Sequence, residues 1–391
     1  MPDKADIIEK ADSAQPRWKR RFADNREARR WNLTSLLLTL PLLLVSVYYY
    51  GPHILRTAAV AALTALVCEV AAGRLILRRQ TGDDWNAIAT GIWIAMMLPA
   101  ELRPNNNIAL YAAIGSAFAI LVVKIPFGGT MHVPFTPAAA GFSSLAVCFP
   151  QIIFSYVPSS MAPPIHESSL AAMLQQGRSA LEGRQLSGIL LGNVVGPMGT
   201  CVILVILAVL VAQLFIKERR GAVLVSAGFL VTAAVLAFIF PRVVGQIPRP
   251  DTPLLQALVD FFPRTMGTAL RTRLVSVGME LCAGSLFFAA VFLLPDPAIM
   301  PRRWYMRLAW GAMAAALCML LRNIGIFEEG VCFAVLLADA FIPLFYRLQT
   351  ELEDQERFRV RLRRSLTGVR NQDTGVRGQG TGVRGQDTGK V

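Results

Sequence analysis

The long apolar stretches of this sequence contain very few charged residues. Charged side chains make up 17% of the 391 residues and hydrophobic ones 54%, and the mean hydropathy is +0.47. Many apolar runs approach about 20 residues, the length at which a helix crosses the hydrocarbon core of a bilayer. Helices of soluble domains rarely stay apolar for so long, because one face meets water. The scarcity of charge excludes an ordinary soluble domain and predicts an all-α polytopic membrane protein.

Closely spaced cysteines and histidines are also missing. The six cysteines stand far apart, mostly inside apolar runs, and no two of the three histidines have the spacing of metal ligands. This pattern excludes a Cys-x-x-Cys zinc or redox motif, and it predicts neither a metal site nor a disulfide framework. We interpret the cysteines as small buried side chains.

The N-terminal segment, residues 1–31, lacks the apolar core of a cleaved signal peptide. It contains nine Lys/Arg and six Asp/Glu, which predicts a basic cytoplasmic arm. The formal net charge of +13 could suggest a nucleic-acid partner. However, the basic residues cluster at the two ends and between apolar runs, as orientation signals do, so we predict no nucleic-acid binding.

Ten apolar runs predict about ten transmembrane helices within residues 32–348. The runs cover residues 33–50, 57–73, 86–99, 108–124, 134–157, 188–215, 221–241, 275–294, 305–321 and 328–346. Ten spans place both termini on one side, and the connections on that side are mostly the richer in Lys/Arg. The positive-inside rule therefore predicts cytoplasmic termini and a multi-pass protein of the cell inner (plasma) membrane.

Several of these predicted helices contain residues that interrupt a helix. The third run is short, Pro150 interrupts the fifth, and Gly192, Gly196 and Pro197 interrupt the sixth. Irregular backbone at membrane depth is tolerated where it is buried in protein or lines a cavity. We therefore predict that some helices are broken or re-entrant, as in transporters.

The C-terminal segment, residues 349–391, changes from apolar to charged and repetitive. Its first part predicts a charged extension of the last helix, and TGVR then recurs at positions 367, 374 and 381. Each seven-residue unit has glycine and little apolar content, which excludes a coiled coil. We predict a disordered basic tail that is either an inert linker or a contact for anionic lipid.

Two broken stretches are candidate sites. "FGGTMHVPFTPAAAGF", residues 127–142, contains Gly128 and Gly129, which allow close backbone approach, and prolines that prevent a continuous helix. "LLGNVVGPMG", residues 190–199, has the same character and offers Asn193 for hydrogen bonding. Either stretch could form a cofactor or ion site, and a simple kinked turn is the alternative.

Three acidic residues fall inside the predicted helices. Glu69, Glu280 and Asp339 are candidates for an ion path, because a charge at membrane depth is costly and usually faces a cavity or a partner. Pairing across helices is the alternative for each of them. Asp296, between two prolines, is interpreted as a helix cap or an arginine partner.

Five stretches, in this order, resemble the D subunit of the Rnf electron-transport complex and, more distantly, the B subunit of the sodium-pumping NADH:quinone reductase. They are "DWNAIATGIWIAMMLP", "FGGTMHVPFTPAAAGF", "LLGNVVGPMG", "FFAAVFLLPDP" and "NIGIFEEGVCFAVLLADAFIPLFYR". The last is similar to the family's Tyr-Pro-Glu-Gly-Val-Met-Phe-Ala-Ile-Leu-Leu-Met-Asn run. The resemblance covers about residues 30–348, which is most of the chain.

The resemblance implies a roughly ten-span subunit that carries FMN, with riboflavin as a further candidate flavin. In the family, FMN is bound through a phosphoester to a threonine of a Ser-Gly-Ala-Thr motif outside the membrane. The subunit relays electrons between ferredoxin and NAD while the complex moves sodium ions or protons. Implied partners are the A, B, C, E and G subunits, a flavin transferase and the lipid membrane, and the subunit does not catalyse alone.

The sequence departs from the family at the flavin position. No threonine occurs between Thr136 and Thr200, and counting back from "LQQG" places Ser169 at the position of the modified threonine, with Ser168 adjacent. Either serine hydroxyl could form the same phosphoester. In addition, Thr136 stands where the family usually has asparagine, and Pro295 replaces a threonine.

These observations leave several functions open. The first is the flavin-bearing membrane subunit, with Ser169 or Ser168 as the attachment residue and Gly128, Gly129, His132 and Asn193 lining an inner flavin site. A non-covalent flavin is a variant of this hypothesis. The alternatives are a flavin-free channel or transporter on the same scaffold, and a purely structural subunit.

Overall fold

A computed structural model describes most of the chain, and its secondary structure is helical. The described residues are 25–77, 85–100, 107–129, 132–158, 169–175, 186–192, 194–200, 202–242, 269–324, 329–355 and 358–359. The helices are α1 (Asn25–Tyr50), α2 (His53–Ala72), α3 (Trp85–Met97), α4 (Ile108–Phe118), α5 (Pro137–Cys148), α6 (Pro150–Ile153), α7 (Leu170–Gln175), α8 (Leu186–Leu190), α9 (Ile203–Phe215), α10 (Arg220–Ile239), α11 (Leu270–Cys282), α12 (Leu286–Phe288), α13 (Trp304–Ile324) and α14 (Val331–Ala340). No strand occurs within these ranges, which confirms the predicted all-α class.

The helices have the length and composition of a multi-pass membrane protein. Four described helices are long and apolar enough to cross a bilayer, or up to six if two interrupted helix pairs each count as one span. Four further apolar helices have 10–17 residues. The total reaches the predicted ten only if each of these shorter helices is also a span, so that number stays a prediction.

The chain divides into two units, Met1–Ile342 and Pro343–Val391. The described part of the second unit is helical as far as Gln355, and residues 358–359 are also helical. The predicted TGVR-repeat tail and most of the predicted N-terminal arm lie outside the described residues. The predicted domain boundaries therefore stay predictions.

Helix breaks occur where the sequence predicts them and at one further place. The chain leaves helical geometry at Phe149 and resumes at Pro150, and no helix continues from Leu190 to Ile203 across the glycines. A break that was not predicted separates α11 from α12, and the angle between α11 and the helical segment Leu286–Leu293 is 64°. This break falls in "LCAGSLFF", an apolar run with a single glycine, so its sequence looks continuous.

Three helices continue into π-helical turns, at Gly73–Leu77, Ala119–Lys124 and Ala289–Leu293. A π-helical turn shifts the backbone hydrogen bonds and frees carbonyl groups, and such turns often occur near functional sites. In the third turn, Ser226 Oγ donates to the Ala290 carbonyl at 2.6 Å and Gln213 Nε2 donates to the Val291 carbonyl at 3.3 Å. Side chains from α10 and α9 therefore satisfy backbone groups that lipid could not.

The most extensive helix pairing joins α10 and α13. The two helices run in the same direction, because Gly221 lies beside Arg307 near their starts and Arg242 bonds to Arg322 near their ends. Gly228 and Gly311 face the opposite helix at the crossing, and a Cβ added at either would press into a backbone carbonyl. Small residues at this seam allow the two backbones to approach closely.

Gly311→Ala should therefore weaken this packing. The added methyl group would overlap the Val225 carbonyl, which cannot rotate away as a side chain could. We expect a loss of about 1–3 kcal/mol, typical of overpacking, seen as a lower melting temperature of the detergent-solubilised protein. Ala316→Val adds atoms on the exposed face of the same helix and should change the melting temperature much less.

Candidate functional site

The first predicted acidic residue, Glu69 on α2, is buried against a lysine. Its carboxylate lies 2.9 Å from Nζ of Lys124, which ends the π-helical turn after α4, and both side chains are almost completely buried. The Lys124 carbonyl also accepts the Gly129 N–H at 3.2 Å, so this ion pair lies directly before the glycine turn. Pairing across helices, the alternative left open by the sequence, is what the structure shows for Glu69.

The glycine turn that follows has a backbone that favours glycine. Gly128 and Gly129 have φ values of +101° and +98°, and the His132 N–H donates to the Gly129 carbonyl at 3.0 Å. The side chain of His132 is exposed, and a Cβ at Gly129 would meet nothing within 4 Å. The backbone angles alone explain the glycines, and a flavin contact here stays a prediction.

The second broken stretch closes the end of α3. The N–H of Gly199 donates to the Met96 carbonyl at 2.8 Å, and the N–H of Met198 donates to the Leu98 carbonyl at 3.0 Å. A Cβ at Gly199 would overlap the Met96 side chain, so only glycine allows this approach. The stretch therefore caps a short helix inside the protein. Asn193 lies outside the described residues.

The second predicted acidic residue, Glu280 on α11, is held by two arginines. Arg242 donates to both Glu280 oxygens, and Arg322 Nη1 donates to Oε2 at 3.2 Å. The arginines also satisfy backbone groups: Arg242 Nη1 donates to the Arg322 carbonyl at 2.8 Å, and Arg322 Nη2 donates to the Ala283 carbonyl at 2.7 Å. All three charged side chains are buried. Here too, pairing across helices is observed.

A second carboxylate, Glu329, lies in the same region. It accepts the Ser285 N–H at 3.0 Å and also the Ser285 hydroxyl, which together fix the start of α12. Between the two helices, Gly284 has φ +61°, and a Cβ there would overlap the Glu329 carboxylate. We call Arg242, Glu280, Gly284, Ser285, Arg322 and Glu329 the break cluster. It holds the α11–α12 break with two positive and two negative side chains.

The third predicted acidic residue, Asp339 near the end of α14, has a different environment. Its Oδ2 accepts the backbone N–H of Thr136, the residue before α5, at 2.7 Å. Asp339 Oδ1 and the Thr136 hydroxyl have no hydrogen-bond partner in the part of the chain that the structure describes. In the same part, no basic side chain pairs with Asp339. Asp339 is the predicted ion-path residue whose charge is least compensated.

Ser169, the predicted flavin-attachment residue, begins α7. Its Oγ accepts the Ala172 N–H at 3.1 Å, as a helix N-cap does, and the residue is 7% exposed. The apolar face of α7 packs in one cluster with residues of α9 and α11, among them Ile203 and Met279. The serine is thus held by a short helix anchored to the helix bundle. Ser168 lies outside the described residues.

Asp296 lies in a turn, and no described helix begins at it. Its Oδ1 accepts the Ala298 N–H at 2.8 Å, within its own turn. Its charge also acts on Arg219, a buried residue that precedes α10 and lies 4.0 Å over the ring of Trp31. Burial lowers the pKa of Arg219 to about 9, and the Asp296 charge opposes that change.

Sequence reasoning missed the partners of these acidic residues. The sequence marks Lys124 only as an orientation signal, and it singles out neither Arg242 nor Ser285. The available signal was electrostatic: a carboxylate inside an apolar helix needs a cation nearby. A single sequence gives no spacing rule for finding that cation in a different helix. The described residues contain no group of three or more His, Cys, Asp or Glu that could hold a metal ion.

The long apolar helices define a multi-pass membrane protein, and buried ion pairs, helix breaks and π-helical turns lie among these helices. The sequence model of the protein family named NQR2, RnfD, RnfE matches residues 19–352 of this chain. The chain therefore belongs to this family.

Curated relatives agree with the family match. The D subunit of the ion-translocating oxidoreductase complex of Klebsiella pneumoniae (strain 342) is 30% identical over 335 residues, which are 82% of this chain and 93% of that protein. The corresponding proteins of Cronobacter sakazakii (strain ATCC BAA-894) and Salmonella enteritidis PT4 (strain P125109) are each 28% identical, and the matches cover 82% of this chain and 93% and 92% of their own lengths. The similarity thus extends over most of each protein.

Proposed function

We propose that this chain is the membrane subunit of an Rnf-type complex, which couples electron transfer between ferredoxin and NAD to the translocation of sodium ions or protons. The observation that carries the proposal is the family match over residues 19–352. The curated relatives are each named as the D subunit of an ion-translocating oxidoreductase complex. The fold supports the role, because a multi-pass helical protein with acidic groups at membrane depth suits ion movement.

The proposal includes a location and a set of partners. Both termini face the cytoplasm, and the chain lies in the cell inner membrane beside the A, B, C, E and G subunits. Those partners are needed because a single flavin within lipid must receive electrons and pass them on over short distances. A flavin transferase supplies the flavin. The subunit is part of a translocase and does not catalyse alone.

We propose Ser169 as the residue that carries FMN. Its hydroxyl belongs to the right chemical class for a phosphoester, and the packing of α7 against α11 would give the flavin a fixed point of attachment. Because Oγ accepts the Ala172 N–H, attachment alters the N-cap of α7. The second candidate is Ser168. Gly128, Gly129, His132 and Asn193 remain the proposed lining of an inner flavin site.

The proposed ion path differs among its three acidic residues. Glu69 and Glu280 are each paired with basic side chains, so an ion that uses them must compete with a lysine or with two arginines. Asp339 has no such competitor in the described structure. We therefore place Asp339 first among the ion-path candidates.

Flavin fluorescence of the denatured protein on a gel tests the redox role, after co-expression with the flavin transferase from the same organism. We expect a fluorescent wild-type band that Ser169→Ala abolishes. Ser169→Asn is the matched control, because asparagine preserves an N-cap but cannot form the phosphoester; it should also be dark while the protein stays folded. Ser169→Thr should stay fluorescent. Loss of fluorescence in Ser168→Ala alone would instead assign the flavin to Ser168.

A flavin-free channel or transporter is the second candidate function. The absence of threonine between Thr136 and Thr200, where the related subunits would carry FMN, favours it. The broken helices also suit it, because transporters form midplane sites from such helices. A dark wild-type band, together with no flavin extracted from the native protein, would support this function and exclude the flavin relay.

A further inference from the structure

Resting on the proposed role in ion translocation, we infer that Asp339 is a proton-binding carboxyl, with the Thr136 hydroxyl as its partner, and that this step of the ion path carries a proton rather than a sodium ion. Asp339 is 1% exposed and Thr136 is 2% exposed. The two residues join the last turn of α14 to the start of α5, and these helices pack against each other.

The charged groups near Asp339 differ from those near the other buried carboxylates. Glu69 faces Lys124, and Glu280 faces Arg242 and Arg322, so a neighbouring cation compensates each of them. The charged group that acts on Asp339 in the described structure is Asp296, which is also negative. From α5, Asp339 receives the neutral Thr136 N–H and faces the Thr136 hydroxyl. A buried carboxylate with no cation beside it is costly, so it gains most from taking up a positive charge.

The hydrogen bonding of this pair suits a proton. Asp339 Oδ2 already accepts the Thr136 N–H at 2.7 Å. Oδ1 and the Thr136 hydroxyl are the two polar atoms of the pair that have no hydrogen-bond partner within the described residues, and the hydroxyl is near enough to act on the carboxyl. A proton on Oδ1 gives that oxygen a hydrogen to donate, and the adjacent hydroxyl can accept it. When Asp339 is ionised, the same hydroxyl can instead donate its own hydrogen to Oδ1, so the pair can be satisfied in both protonation states, as a group that takes up and releases a proton requires.

The same geometry is poor for a sodium ion. Sodium sites in membrane proteins combine several oxygen ligands, often with the C-terminal carbonyls of half-helices. Here the described residues offer two free oxygens, and the N-terminal end of α5 directs an N–H at the carboxylate. That N–H already occupies Oδ2, so this oxygen is less available to a metal ion, which needs several oxygen ligands at once.

Labelling with dicyclohexylcarbodiimide tests the inference, because this reagent modifies protonated carboxyls in apolar surroundings. The full-length protein is purified within its complex, treated over a range of pH, and the modified residue is located by peptide mass spectrometry. We expect labelling at Asp339 that falls as pH rises and is not prevented by sodium ions. Glu69 and Glu280 serve as internal controls and should stay unlabelled, because each is paired with a basic side chain.

Two variants test whether the label is on Asp339 and whether Thr136 influences it. Asp339→Asn should remove the label while its amide oxygen still accepts the Thr136 N–H. Thr136→Val should retain the label and raise the pH of half-maximal labelling, because the lost hydroxyl favours the ionised carboxylate. An unchanged labelling profile in Thr136→Val would remove Thr136 from the site.

Two results obtained with the wild-type protein alone would overturn the inference. Absence of label at Asp339 at every pH, or protection of Asp339 by sodium but not by potassium, would exclude a proton-binding role. Labelling requires no electron transfer, so this test is separate from the flavin test. A flavin-free protein labelled at Asp339 would refute the redox role alone, and a flavin-loaded protein without that label would refute the present inference alone.

Discussion

Replacing Glu280 with glutamine should destabilise the folded protein by about 3–5 kcal/mol. The substitution preserves the shape of the side chain and removes its negative charge. Arg242 and Arg322 would then share a buried region with one carboxylate, Glu329, instead of two. Removing one partner of a buried ion pair costs more than the pair contributes, because the other charge cannot return to water.

The measurement is the fraction of monodisperse protein that survives heating in detergent, read by size-exclusion chromatography. Glu351→Gln removes an equal charge from an exposed position and should leave the melting temperature within about a degree or two, as surface changes do. Arg242→Gln combined with Glu280→Gln should cost less than the sum of the single changes, because the two residues are in contact. A wild-type melting temperature in Glu280→Gln would show that the break cluster does not hold the bundle together.

Gly284→Ala is the second substitution with a large expected effect. Its Cβ would overlap the Glu329 carboxylate, which cannot move away without losing its bonds to Ser285. The left-handed backbone costs about 1–2 kcal/mol for a residue with a Cβ, and overpacking adds about 1–3 kcal/mol. We expect a folded yield well below that of wild type and a marked loss in melting temperature.

Gly128→Ala is the matched control for this substitution. Gly128 has φ +101°, further from the left-handed helical minimum than the +61° of Gly284, so its backbone cost is at least as large. A Cβ at Gly128 would lie 3.7 Å from His132 Cβ, which is ordinary contact. If Gly284→Ala were no more damaging than Gly128→Ala, the overlap with Glu329 would not be the cause.

Most helices of this fold could be predicted because each is encoded locally. Apolar runs predicted most of the ranges, and Pro150 marked a real break, but α7 lies in none of the ten predicted runs. The α11–α12 break could not be predicted, because Gly284 is a lone glycine in an apolar run and the force that bends the chain comes from Glu329, 45 residues later. The π-helical turn at Ala289–Leu293 also leaves no local signal, since side chains of two other helices satisfy its free carbonyls.

The sequence predicts the acidic residues of the candidate site, but it does not predict which side chains pair with them. Glu69, Glu280 and Asp339 stood out because charge is rare in apolar runs, and all three are buried. Sequence could not say which of them has a cation, because that depends on helix packing. The structure separates two paired carboxylates from one without a cation in the described ranges. Ser168 and Asn193 remain predictions, because the structure does not describe them.

The residues of the break cluster are synthesised at different times. Arg242 precedes Arg322 by 80 residues, with Glu280 between them. At about 5–20 residues per second, roughly 4–16 seconds separate the synthesis of the two arginines. Glu280 is made 38 residues after Arg242, so during the later half of that interval Arg242 has its carboxylate but still lacks its carbonyl acceptor. The chain has therefore already formed α10 and α11 when α13 supplies Arg322, and a nascent chain that stops before α13 would have Arg242 and Glu280 without their third partner.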